Sequence, residues 1–129
     1  MSQVQEIITE LVNIVNCYNN DRLHLMHIKA DAVRQGMIQY FKEIRINHKE
    51  YDRFELKNSI RALNMLRDHV FHVFSFFEEK DISVFNFTLS HSCEYIDALV
   101  ITLKNTMRSL RTKSGKKHSR FILHIMEKM

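Results

Sequence analysis

Apolar residues recur at three- and four-residue steps along most of this chain, the period of a helix buried on one face. Val4, Ile7, Ile8, Leu11, Val12, Val15 and Tyr18 form the first stripe, and Ser2 is placed to cap it, so a helix to about Tyr18 is expected. The polar break Asn19-Asn20-Asp21 follows, with Asp21 expected as the next N-cap. A second helix is expected over about 22–46, with Val33, Met37, Ile38, Phe41 and Ile44 inward. Its earlier run of Leu23, Leu25, Met26 and Ile28 is less regular, and Gly36 makes a kink or a split into two helices a further expectation.

Asp52-Arg-Phe-Glu55 has the spacing of a capping box and opens the most regular stripe: Leu56, Ile60, Leu63, Leu66, Val70, Val73/Phe74 and Phe77. Phe71 and Phe76 fall well away from that stripe at about 100° per residue. The end of this helix is therefore expected either to lie at the centre of the fold or to meet a second subunit. Glu78 to Ser83 read as a polar connection. Residues 82–89 alternate apolar and polar, which leaves a short extended piece and an early helical turn both open. A fourth helix is expected from about Ser90 to Arg111, with Cys93, Ile96, Leu99/Val100, Leu103, Met107 and Leu110 inward. After the basic hinge Lys113-Ser-Gly-Lys-Lys117, residues 118–129 suggest a last short helix, with Phe121, Ile122, Ile125, Met126 and Met129 on one side.

The fold class expected is all-α: one domain over 1–129, a single antiparallel bundle of four main helices plus a short C-terminal helix. Composition agrees, because two Gly and no Pro in 129 residues leave too few turn-formers for sandwiches, barrels or Rossmann-type folds, and this length supports one core. No secretory signal is expected from the first residues, and no run approaches the roughly 18 apolar residues of a membrane span. Cys17 and Cys93 are too few and too distant for a disulfide framework. A soluble, cytoplasmic protein in a reducing compartment is expected, with no membrane partner.

Charge is unevenly placed. Residues 1–103 hold 11 Lys/Arg and 14 Asp/Glu, whereas 104–129 hold eight Lys/Arg and one Glu. Lys104, Arg108 and Arg111 fall at i, i+4 and i+7, one row of cations on a helix, and Lys113, Lys116, Lys117 and Arg120 continue it. Such a row suits phosphates or an acidic protein surface. No helix-turn-helix, zinc pattern or exposed aromatic run accompanies it, so base-specific reading is not expected.

Arg67-Asp-His-Val-Phe-His72 resembles the Arg-x4-His motif of HEPN ribonucleases, with a polar residue, Asp68, after the Arg and an aromatic, Phe74, two after the His. The resemblance implies a small helical bundle that dimerises to bring two motifs into one cleft. In such a cleft Arg67 would hold the scissile phosphate and His72 would act as acid or base on the ribose 2′-OH, without a metal. His24/His27 and His69/His72 are i, i+3 pairs, but the di-iron, zinc-protease and Cys-x-x-Cys spacings are all missing, so neither a metal nor another cofactor is expected.

The function expected is that of a small binding or adaptor protein rather than an enzyme. Its basic C-terminal end would contact nucleic acid or another polyanion, and it would self-associate through Phe71, Phe74, Phe76 and Phe77. A metal-independent ribonuclease using Arg67 and His72 is the alternative. A protein-only regulator of the immunity-protein or chaperone kind is the third.

Overall fold

A computed structural model describes residues 2–82 and 89–110, and among these every regular element is helical. Helix α1 spans Gln3–Asn19, α2 Leu23–Asn47 and α3 Arg53–Glu79. A single 3-10 turn, His48–Glu50, links the last two. Residues 89–110 form α4. The expected C-terminal helix over 118–129, the hinge at 113–117 and the conformation of 83–88 lie outside the described residues.

Two of the helix starts follow directly from local chemistry. Ser2 Oγ accepts from Gln5 N–H while the Gln5 side chain accepts from Ser2 N–H, both at 3.2 Å. Asp52 and Glu55 form the same reciprocal box at 2.7 and 3.4 Å, each box satisfying two of the amide donors that a helix start leaves over. The start of α2 is different. Arg22, not Asp21, is its N-cap, and no side chain caps it.

Asp21 instead finishes α1. It adopts φ 57°, with its N–H bonded to Tyr18 O at 3.1 Å and Arg22 N–H bonded to Cys17 O at 2.8 Å, the paired bonds of a Schellman ending. Helix α3 stops in the same way. Asp81 has φ 58°, Asp81 N–H bonds Glu78 O at 3.0 Å, and Ile82 N–H bonds Phe77 O at 3.1 Å. Two aspartates thus occupy the left-handed position that glycine usually fills, at about 1–2 kcal/mol each. A chain with only two Gly therefore still makes tight turns.

Helix α2 runs unbroken through Gly36. An added Cβ there would stand 3.8 Å from Ile7 Cγ1, an ordinary contact, so the residue neither breaks the helix nor is required by a close approach. The expected split into two helices is absent because about 1 kcal/mol of helix propensity is outweighed by Val33, Met37, Phe41 and Ile44, buried on either side of it.

The helices alternate in direction. Lys29 meets Glu10 at 3.1 Å, so α2 runs antiparallel to α1. The C-terminal ends of α1 and α3 lie together, where Tyr18 packs edge-on against Phe76 and Phe77 with ring centroids 5.7 Å apart. Phe41 meets Tyr95 at 5.2 Å, and His48 meets Thr106 at 3.0 Å, so α2 and α4 are side by side and parallel.

The core uses Val4, Ile7, Leu11, Ile14 and Cys17 from α1, Leu56, Leu63, Leu66, Val70, Val73 and Phe77 from α3, and Leu89, Ile96, Leu99, Val100 and Leu103 from α4. Two residues expected inward point out, Val12 at 47% and Ile38 at 52% exposure. Each lies one position beyond a fully enclosed neighbour, Leu11 and Met37, and about 100° of rotation carries it past the edge of the buried face.

Candidate binding groove

Where α2 and α4 run side by side and parallel, a groove of about 460 Å³ opens between them. Met37, Phe41, Ile38 and Tyr95 form its apolar floor and wall, with His91 and Ser92 at one end. Arg34, Lys42 and Arg45 rim it from α2. A neighbouring hollow of about 200 Å³ continues the seam past Arg45 and Tyr95 to Ala98, Leu99 and Thr102. Met37 and Phe41 are buried, whereas Ile38 and Tyr95 stay substantially open to solvent. The arrangement is a concave apolar strip with cations along one edge, suited to a ligand that is apolar on one side and anionic on another.

The three cations recur at i, i+8 and i+11, which brings them to one face of α2 and spreads them over about 16 Å of helix. Arg34 also approaches Asp31 at 3.9 Å, with both side chains more than half exposed, a pairing of small weight. Sequence reasoning missed this site. The signal lies in the step Arg34, Ile38, Lys42, Arg45, but the apolar period places Ile38 inward with Met37, and no pattern within α2 shows that Tyr95 of α4 stands beside it.

The sequence-predicted basic row lies elsewhere. Lys104 and Arg108 are exposed on α4. Nine and thirteen residues beyond Tyr95, they stand about 180° and 140° around that helix from the groove. Arg111, Lys113, Lys116, Lys117 and Arg120 fall outside the described residues.

Arg67 and His72 are not brought together within one chain. They lie on the continuous helix α3, about 140° apart. Arg67 turns toward α4, where Nε and Nη2 donate to the two Asp97 carboxylate oxygens at 2.6 and 3.2 Å. That forked bond holds the Arg67 pKa above its ordinary value. Cys93 lies close by, half-buried, and its thiol is pushed up chiefly by desolvation, against the opposing pull of Arg67. A raised thiol is a poor nucleophile. His72 is exposed, with its ring against Phe71.

The four phenylalanines expected to mediate self-association are divided by the fold. Phe77 is fully enclosed, and Phe74 and Phe76 are partly covered by their own chain. Lys80 lies 4.9 Å over the Phe76 ring. Phe71 remains 49% exposed.

Among the described residues no three His, Cys, Asp or Glu gather in a way that could hold a metal ion. His69 Nδ1 donates to Met65 O at 3.0 Å. No described helix is long and apolar enough to cross a membrane. Comparison of the chain with protein-family models, curated proteins and solved structures gave no match.

Proposed function

We propose that this protein is a binding module without chemistry of its own, and that it takes an anionic partner in the groove between α2 and α4. The observation that carries this reading is the coincidence of Arg34, Lys42 and Arg45 with an apolar floor in one concave seam. Cations scattered over a convex face are ordinary solvated surface, whereas cations edging an apolar groove combine attraction with a surface that benefits from being covered. In this reading Lys104, Arg108 and the charges that follow to Arg120 strengthen the positive field and speed encounter, and the groove supplies the lasting contacts. The ribonuclease alternative requires Arg67 to leave Asp97 and a second chain to complete the site.

The reading is tested by fluorescence anisotropy with labelled polyglutamate and labelled single-stranded RNA, in EDTA, at low and physiological salt. Arg34→Glu with Arg45→Glu is expected to weaken binding by about tenfold or more at both salts, while Lys104→Glu with Arg108→Glu costs a few-fold, chiefly at low salt. Loss confined to the second pair would move the site to the C-terminal end. Cleavage of the RNA that disappears in His72→Ala would replace the binding module with the nuclease.

A further inference from the structure

We infer that the partner element received by the α2–α4 groove is an acidic amphipathic helix of another protein, an inference that rests on the groove being the recognition surface. Shape comes first. The hollow beside Met37, Phe41 and Tyr95 and its continuation to Thr102 form one elongated trough along two parallel helices. A third helix laid along such a seam inserts one apolar stripe between them, with anchors at i, i+3/i+4 and i+7.

The spacing of charge then separates this occupant from others. Lys42 and Arg45 are three residues apart, about 4.5 Å along α2, but Arg34 lies about 12 Å from Lys42. One small anion can bridge Lys42 and Arg45 and leaves Arg34 idle. A helix with carboxylates at i, i+7 or i+8, and i+11 engages all three and keeps its own apolar stripe on the floor.

A nucleic-acid strand supplies charges at usable spacing but has little to set on this floor. Phe41 is only 6% exposed, so its face is closed to a base, Ile38 and Met37 offer no stacking plane, and Tyr95, 37% exposed, is a single ring where a strand needs several along its path. The chain's own residues 111–129 carry six Lys/Arg and one Glu, the wrong sign for a trough edged by cations.

The test uses the full chain and three labelled peptides of about 18 residues, five helical turns. One has a Leu stripe flanked by Glu, the second has the same composition in an order that destroys the helical period, and the third has Gln at every Glu. The amphipathic acidic peptide is expected to bind about tenfold or more tightly than either control, and to lose about tenfold or more with Arg34→Glu plus Arg45→Glu or with Ile38→Glu. All three substitutions are at exposed positions, so an unchanged thermal melt separates lost binding from lost fold. Equal binding of the acidic peptide and its scrambled form overturns the helix, even if polyglutamate still depends on Arg34 and Arg45; the groove as an anion site then stands without it. If neither polyglutamate, RNA nor any peptide responds to those two arginines, the groove reading fails as well.

Discussion

Gly36 sits in the middle of a 25-residue helix with no backbone need for glycine, since its φ is not in the left-handed region and the space where a Cβ would go meets only Ile7 Cγ1 at 3.8 Å. Gly36→Ala is therefore expected to stabilise the protein by about 0.5–1 kcal/mol, by restricting the unfolded chain and favouring helix. Urea denaturation would register this as a higher midpoint at unchanged slope; a lower midpoint would show that α1 and α2 pack more tightly at Ile7 than the distance indicates. The opposite case is found at Asp21 and Asp81, which hold positive φ without being glycine. Short polar side chains tolerate that conformation better than others do. This is why the Asn-Asn-Asp and Lys-Asp turns were legible as breaks, while the role of Asp21 was not. A residue that suits an N-cap also suits a left-handed C-terminal position, and only the backbone bonds decide between them.

The elements themselves were largely written in the apolar period. The Asp52–Glu55 capping box, the Ser2 cap, the long stripes and the all-helical class followed from spacing, because burial on one face imposes that spacing whatever the partner helix; the reciprocal part played by Gln5 at the Ser2 cap came only with the structure. What spacing does not contain is the width of each buried face and which helices become neighbours. Ile38 shows the first limit and the groove the second, for Arg34 and Lys42 come to border one groove only when Tyr95 arrives beside them from more than fifty residues away. One polar contact across this seam is His48 with Thr106. Thr106 donates its hydroxyl proton to Thr102 O at 3.0 Å, so its oxygen accepts from His48 Nδ1–H at 3.0 Å. His48 is buried, at 8% exposure. Thr106→Val should strand that donor and destabilise the fold by about 1–3 kcal/mol, whereas Thr106→Ser should keep most of the bond. Equal stability of the two variants, read from chemical denaturation, would mean that His48 finds another partner and that the α2–α4 seam does not depend on it.

At the scale of the whole molecule the aromatic end of α3 separates packing from association. The sequence places Phe71, Phe74, Phe76 and Phe77 together and leaves two uses open, a bundle centre or a face for a second copy. The fold spends Phe77 entirely on its own core, and Tyr18 and Lys80 cover much of Phe76. What Phe71 still offers is about half of an aromatic side chain, on the order of 100 Å², against about 800 Å² per partner in a stable interface. On α3 its neighbours Arg67, Asp68 and Ser75 are polar and Phe74 is already partly covered by its own chain, so among the residues of its own helix the apolar surface that extends it is small. Phe71→Ser is accordingly expected to leave the sedimentation coefficient unchanged at all concentrations and to shift stability by less than about 1 kcal/mol. Phe77→Ser, by contrast, should cost about 3–5 kcal/mol or prevent folding, since it empties an enclosed site and inserts a hydroxyl there. Sedimentation velocity on the Phe71→Ser variant decides the matter: a wild-type dimer that this single change dissociates would make the exposed ring an association site after all and would restore the two-chain geometry that a nuclease built on Arg67 and His72 requires.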